Sequence, residues 1–249
     1  MKARLLALLI GLLLLAMIPA LVMAQGQARP DRTFQFRMNA ANPRPPQLAA
    51  PKPGAPAAAA RPTVPVRTFI QPNAIYGLLN EGFENPWPTA NWYVDEFSTD
   101  HDLCWGVTDY MRYKGHISAW PAAGCADGYD PSSNSYYADY MWTEMVYPMD
   151  LTGVRAASVR FQYKSDVEFG YDVFYWCASP DYGVNWYCQG QTGSTRRWRQ
   201  VNVNLADVPG YGNMLDSSGF AFMWGFSSDY SVTDLGTYVD AIKIKAVGP

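Results

Sequence analysis

The sequence predicts an all-β fold, an antiparallel β-sandwich, preceded by an export signal and a proline-rich tether. Three observations carry this. Several short windows alternate apolar and polar residues with period two. Turn-forming clusters separate them. No stretch of 73–249 shows the 3.6-residue apolar period of a helix. Val159, Phe161 and Tyr163 alternate with Ser158, Arg160 and Gln162. Tyr171, Val173 and Tyr175 alternate with Asp172, Phe174 and Trp176. Val201, Val203 and Leu205 flank Asn202 and Asn204, and Ile242 and Ile244 flank Lys243 and Lys245. In 219–226 both faces are apolar, with Phe220, Phe222, Trp224 and Phe226 on one and Ala221, Met223 and Gly225 on the other. That predicts a central strand. The clusters Ser179-Pro180-Asp181-Tyr182-Gly183, Pro209-Gly210-Tyr211-Gly212-Asn213 and Asp216-Ser217-Ser218-Gly219 read as turns.

In chain order, residues 1–24 read as a signal peptide. Lys2 and Arg4 precede the apolar run Leu5–Ile18, Pro19 breaks it, and Val22-Met23-Ala24 offers a cleavage site. The run is also long enough for an uncleaved anchor, the one route to a membrane that the sequence offers. Either way the remainder is expected outside the cytoplasm, secreted or at the cell surface. Residues 25–72, rich in Pro, Ala and Arg, are expected to form a disordered, semi-stiff linker. The folded unit is expected from 73 to 249.

Of the 249 residues, 49% are hydrophobic, 15% aromatic and 16% charged. So many aromatics exclude disorder of the whole chain, and a single long apolar run excludes a polytopic membrane protein. The net charge of −3 hides a split. Residues 25–72 carry seven basic residues and one acid, whereas 73–249 carry ten basic and twenty-one acidic residues. An acidic domain argues against a nucleic-acid partner, which requires clustered Lys and Arg. The four cysteines, Cys104, Cys125, Cys177 and Cys188, all lie in the C-terminal unit. An even count in an exported chain predicts disulfides. Of three connectivities the local one is expected, Cys104 with Cys125 and Cys177 with Cys188. A zinc site is disfavoured by two histidines in all and no Cys-x-x-Cys.

The order of motifs resembles a known module. Met149-Asp-Leu-Thr-Gly-Val is followed by Ala157-Ser-Val-Arg-Phe-Gln-Tyr, Glu168-Phe-Gly-Tyr-Asp172, Ser179…Gly183-Val-Asn-Trp186 and Trp198-Arg-Gln-Val-Asn-Val-Asn-Leu. The chain closes with Phe226-Ser-Ser-Asp229…Gly236-Thr-Tyr-Val-Asp240-Ala-Ile. This is similar to the C-terminal jelly-roll module of immune inhibitor A-type secreted metallopeptidases and, more distantly, to MAM-like and carbohydrate-binding jelly rolls. Gly82-Phe83-Glu84 with Trp92 looks like the opening strand. The resemblance implies a jelly roll and a structural calcium ion between an opening-strand Glu and a final-strand Asp, the positions of Glu84 and Asp240. It does not imply peptidase activity, since the sequence holds no His-Glu-x-x-His and the usual Ser-x-Asp-Gly-Gly turn is altered.

Asp240 shares parity with Ile242 and Ile244, so alternation turns it toward the core, where a carboxylate needs a cation or a partner. Capping a turn or pairing with Arg160 would also satisfy it. Glu168 and Asp172, with Asp166, form a second acidic group. They read either as a second calcium site or as solvated charges that discourage edge pairing. Tyr136, Tyr137, Tyr140 and Trp142 crowd one polar segment, where exposed rings beside Asn and Asp would suit a glycan or a flat protein surface. No serine-hydrolase or zinc-peptidase motif is present. The expected function is therefore a non-catalytic, calcium-bearing module for a glycan or a cell surface. The alternatives are a protein–protein adhesion or assembly module, and a glycosidase or carboxyl peptidase with unmarked carboxylates.

Overall fold

The computed structural model describes residues 31–39, 71–98, 100–131 and 135–249. The expected signal peptide, and the linker apart from 31–39 and Gln71–Pro72, lie outside them. Among the described residues no helix is long and apolar enough to cross a membrane.

Among the described residues twelve strands build two antiparallel sheets: β1 (Asp31–Asn39), β2 (Ile75–Glu81), β3 (Tyr93–Glu96), β4 (Cys104–Thr108), β5 (Ser118–Gly124), β6 (Trp142–Met149), β7 (Ala156–Asp166), β8 (Val173–Ser179), β9 (Asn185–Gly193), β10 (Arg199–Asn204), β11 (Phe220–Ser227) and β12 (Gly236–Val247). The first sheet runs β1-β9-β8-β11-β6-β3 and the second β10-β7-β12-β5-β4, with β2 also paired to β12. This is the predicted sandwich, of jelly-roll type. The doubly apolar window 219–226 becomes β11, flanked by β8 and β6 and buried on both faces, as its composition demands.

The core lies between the sheets. Phe161, inward on β7, meets Phe174, Trp176, Phe222 and Trp224 of the opposite sheet at centroid distances of 5.7–6.4 Å, mostly edge to face. Both local disulfides are present, Cys104–Cys125 and Cys177–Cys188. The second joins directly paired positions of β8 and β9.

Two expectations are corrected. Residues 31–39, assigned to the linker, form β1, paired with β9 over their whole length from Asp31 opposite Gly193 to Asn39 opposite Asn185. Phe34, Phe36 and Met38 pack with Tyr175, Trp186 and the Cys177–Cys188 bridge in a second apolar cluster, on the face of the first sheet turned away from the main core. Asp240 does not share the inward face of Ile242. The register of β12 against β7 shifts between Asp240 and Lys243, and Ala241 takes φ 51°. This bulge reverses the alternation, so Asp240 stands opposite Gln162 on the outer face.

Candidate functional site

The outer face of the second sheet carries a groove of about 660 Å³. Its floor is the polar half of the period-two windows: Arg160 and Gln162 of β7, Gln200 of β10, and Asp240 and Lys243 of β12. Gln162 Nε2 donates to the side-chain Oε1 of Gln200 at 3.2 Å. One wall is the loop 109–117, tied down by two carboxylates. Asp240 Oδ2 accepts the backbone N–H groups of Tyr113 and Lys114 at 2.8 and 2.9 Å, and Glu84 Oε1 accepts those of His116 and Ile117 at 2.8 and 3.1 Å. Those two amides hold the Glu84 carboxyl below the ordinary range. Desolvation pushes Asp240 upward against its backbone hydrogen bonds, and the charge of Glu84 adds to the rise. Gly115 has φ 76° and a Cβ there would fall 2.1 Å from Glu84 Oε1, so only glycine lets the loop close onto that carboxylate. Tyr113, half exposed on the groove edge, is backed edge-on by Trp198 at 5.8 Å. The structure thus brings Glu84 and Asp240 to one groove, each engaged by loop amides.

A second constellation sits where three loops meet. One oxygen each from Glu168, Asp172 and Asp229 lies within 4.8 Å of the others. Such a group could hold a metal ion. Asp172 is fully buried. Its Oδ1 accepts the N–H of Asp229 at 2.8 Å and its Oδ2 the hydroxyl of Tyr137. Burial pushes the Asp172 carboxyl up to about 8 despite these two donors, and the neighbouring charges of Asp229 and Glu168 act the same way. Asp229 is 4% exposed. Its Oδ1 accepts Ser231 N–H at 2.9 Å, while its Oδ2, like Glu168 Oε2, is buried with no hydrogen-bond partner.

The same three loops display large side chains to solvent: Phe169 and Tyr171 between β7 and β8, Tyr230 and Val232 between β11 and β12, and Tyr136 and Tyr140 before β6. The loops interlock through Tyr137 N–H to Asp234 O at 3.3 Å and Tyr140 N–H to Asp229 O at 2.5 Å.

The predicted aromatic patch is therefore divided. Tyr136 and Tyr140 are exposed, at 48% and 37%. Tyr137 and Trp142 are buried: Tyr137 turns inward to Asp172 and meets Phe226 edge-on at 4.9 Å, and Trp142 packs tilted against Phe97 at 4.5 Å. The cause is that the segment is not all loop. Trp142 opens β6, and its indole N–H donates to the Tyr175 hydroxyl at 3.0 Å and to Glu144 at 3.3 Å. Asp229, the third member of the acidic group, escaped sequence reasoning. Its signal was the acid pair Asp229 and Asp234 in the loop before the last strand. The groove escaped too, though Arg160 and Gln162 were visible as the polar phase of an alternating window.

No family model matches the chain, so its resemblance to immune inhibitor A-type modules remains one of motif order. No curated protein matches it either. Among solved structures it is similar to the K1 cleaved adhesin domain of Lys-gingipain from Porphyromonas gingivalis W83, with 17% identity and a TM-score of 0.45 over 68% of this chain and 98% of that one. It is also similar to a family 11 carbohydrate-binding module from Clostridium thermocellum solved with a β-1,3-1,4-mixed-linked tetrasaccharide, with 13% identity and a TM-score of 0.42 over 70% and 95%. The C-terminal family 22 carbohydrate-binding module of Clostridium thermocellum Xyn10B gives 12% and 0.39 over 69% and 94%. Similarity at this level does not extend to a ligand or a site.

Proposed function

We propose that this chain is a non-catalytic binding module that works outside the cytoplasm and takes a glycan in the groove on the outer face of its second sheet. The observation that carries the reading is the groove itself. Its volume falls in the range of small-ligand sites. Its floor is a row of amide and guanidinium groups from Gln162, Gln200 and Arg160, with Asn80 and Asn85 at the side and the Tyr113 ring at the edge. Planar donors and acceptors match vicinal hydroxyls, and an exposed ring offers a face for the apolar side of a sugar. Both oxygens of Asp240 accept backbone N–H groups, as does Oε1 of Glu84. That supports anchoring rather than proton transfer to a glycosidic oxygen. Two disulfides support the extracytoplasmic address. A structural divalent cation belongs to the reading, and the all-oxygen donors favour Ca2+.

The test is binding of the purified protein to a broad panel of glycans with calcium present, repeated with Tyr113→Ala and Gln162→Ala. A hit that both variants weaken at least tenfold supports the groove. A hit that neither variant changes moves the ligand elsewhere, and a blank panel from folded protein removes the glycan. A protein-adhesion role is the second reading. It is favoured by the exposed Tyr140, Tyr230 and Phe169 on the interlocked loops, and it predicts that Tyr140→Ala and Tyr230→Ala abolish partner binding while the groove variants do not.

A further inference from the structure

We propose that Glu168, Asp172 and Asp229 are the ligands of a Ca2+ ion that clamps three loops at one end of the sandwich. The proposal rests on the structural cation of the reading above and gives it its ligands, but not on the groove's being a glycan site, and it shares no residue with the Glu84–Asp240 pair. A cluster of acids alone would not carry this, because acids often gather without a cation. Here two oxygens, Asp229 Oδ2 and Glu168 Oε2, are buried without any hydrogen-bond donor, and the Asp229 side chain that carries one of them is more than nine-tenths buried. A buried, unpartnered carboxylate oxygen is a rare and costly feature. Asp172, whose two oxygens already have donors, brings a third carboxyl within the same 4.8 Å and crowds the site further. The nearby charges acting on Glu168 are Asp229, Asp234 and Asp139, all of the same sign. A cation there would partner both bare oxygens and relieve the crowding.

The donors select the cation. All three are carboxylates, and neither Cys nor His belongs to the group, so a hard, oxygen-seeking ion is favoured over zinc. The carbonyl oxygen of Val232 lies 3.4 Å from the Tyr137 hydroxyl that also donates to Asp172, so a neutral backbone oxygen borders the acids. Irregular loops that mix carboxylates with carbonyls suit the flexible six-to-eightfold coordination of Ca2+ better than the strict octahedron of Mg2+. Val232 itself holds φ 57°, unusual for a β-branched residue, and marks a loop kept in one shape by its surroundings. The clamp would join the segment 167–172, the segment 228–234 and, through Tyr137, the segment 135–141.

The exposed rings on these loops provide a readout that needs no mutation. Chymotrypsin cuts after aromatic residues, and Phe169, Tyr171 and Tyr230 stand exposed. The expected result is that full-length protein in EDTA is cut after these three residues at least tenfold faster than in millimolar Ca2+, while cutting after exposed Tyr113 changes little. In parallel, equilibrium calcium binding should give one ion fewer per chain for Asp229→Asn and for Glu168→Gln than for the parent. Glu84→Gln should keep this ion. With EDTA, Asp229→Asn should melt no lower than the parent, because it removes one of the crowded charges. Cleavage at the three sites that ignores Ca2+, an ion count unchanged by Asp229→Asn, or binding of Zn2+ in place of Ca2+ would each overturn the proposal.

Discussion

Ala241 decides where Asp240 points. Strict alternation along β12 would send Asp240 inward with Ile242. The bulge at Ala241, with φ 51°, places two residues opposite one of β7 and turns the carboxylate out to the loop 109–117. A bulge leaves no reliable mark in a single sequence, since Ala is not a residue that announces positive φ. Inside the core the alternation held, and Phe161 shows what it secures. Its ring meets four aromatic rings of the other sheet. Phe161→Ala should destabilise the fold by about 3–5 kcal/mol through lost burial and an unfilled cavity, measured by urea unfolding. Asp181 argues a pH effect at the same scale. Partial burial would raise its carboxyl, but hydrogen bonds from Asn185 and Ser179 outweigh that and hold it below the ordinary range. A carboxylate held low stabilises the folded state once ionised. Its contribution is therefore present above the ordinary aspartate value and is lost as pH falls through the lower folded value. Asp181→Asn should accordingly lower the melting temperature at neutral pH, and the gap to the parent should close on acidification below the ordinary aspartate range.

At the scale of the element, β1 is the instructive case. Phe34, Phe36 and Met38 alternate with Thr33, Gln35 and Arg37, the same period-two signal that revealed β7 and β12. The proline-, alanine- and arginine-rich composition around it overrode that signal, because composition averages over a stretch in which only nine residues pair. β11 was legible as a central strand since burial on both faces leaves little room for polar residues. The two hairpin cysteines were legible since a turn separates them. The acidic group was half legible: Glu168 and Asp172 lie in one loop, whereas Asp229 arrives from a loop more than fifty residues on, a proximity only the strand order creates. β1 also has a specific fit. Its Phe34 ring lies over Gly190 of β9, where a Cβ would approach Phe34 Cζ to 2.7 Å. Gly190→Ala should push that ring out and weaken the docking of β1 by about 1–3 kcal/mol. Hydrogen exchange should then rise at the amides of 32–38 and of β9 while β7 and β12 stay protected, and unchanged protection of β1 would show that the ring shifts at no cost.

At the scale of the whole molecule, the two disulfides connect the fold to its proposed address. The sandwich has a large aromatic core of its own, so the bridges are not needed to make up for a missing one, unlike those of very small secreted domains. They act chiefly on the unfolded chain. Bridges spanning 21 and 11 residues each restrict that ensemble enough to stabilise the native state by about 3 kcal/mol in the chain-entropy account. For a domain of this size 1 kcal/mol corresponds to roughly 2–4 °C in melting temperature, so removing one bridge should lower it by about 6–12 °C and leave the far-ultraviolet spectrum of a β-protein. The two bridges should differ in a second respect. Cys177–Cys188 lies beside Phe36 on the same face of the sheet, within the apolar cluster that seats β1, so Cys177→Ala with Cys188→Ala removes packing there as well. Cys104–Cys125 closes the β4–β5 hairpin, away from that cluster. Calorimetry on the two double variants should therefore show the larger loss for the Cys177–Cys188 pair, although its loop is the shorter and loop entropy alone predicts the opposite order. Equal losses, or a larger one for Cys104–Cys125, would mean that β1 seats itself without the bridge and that chain entropy accounts for both.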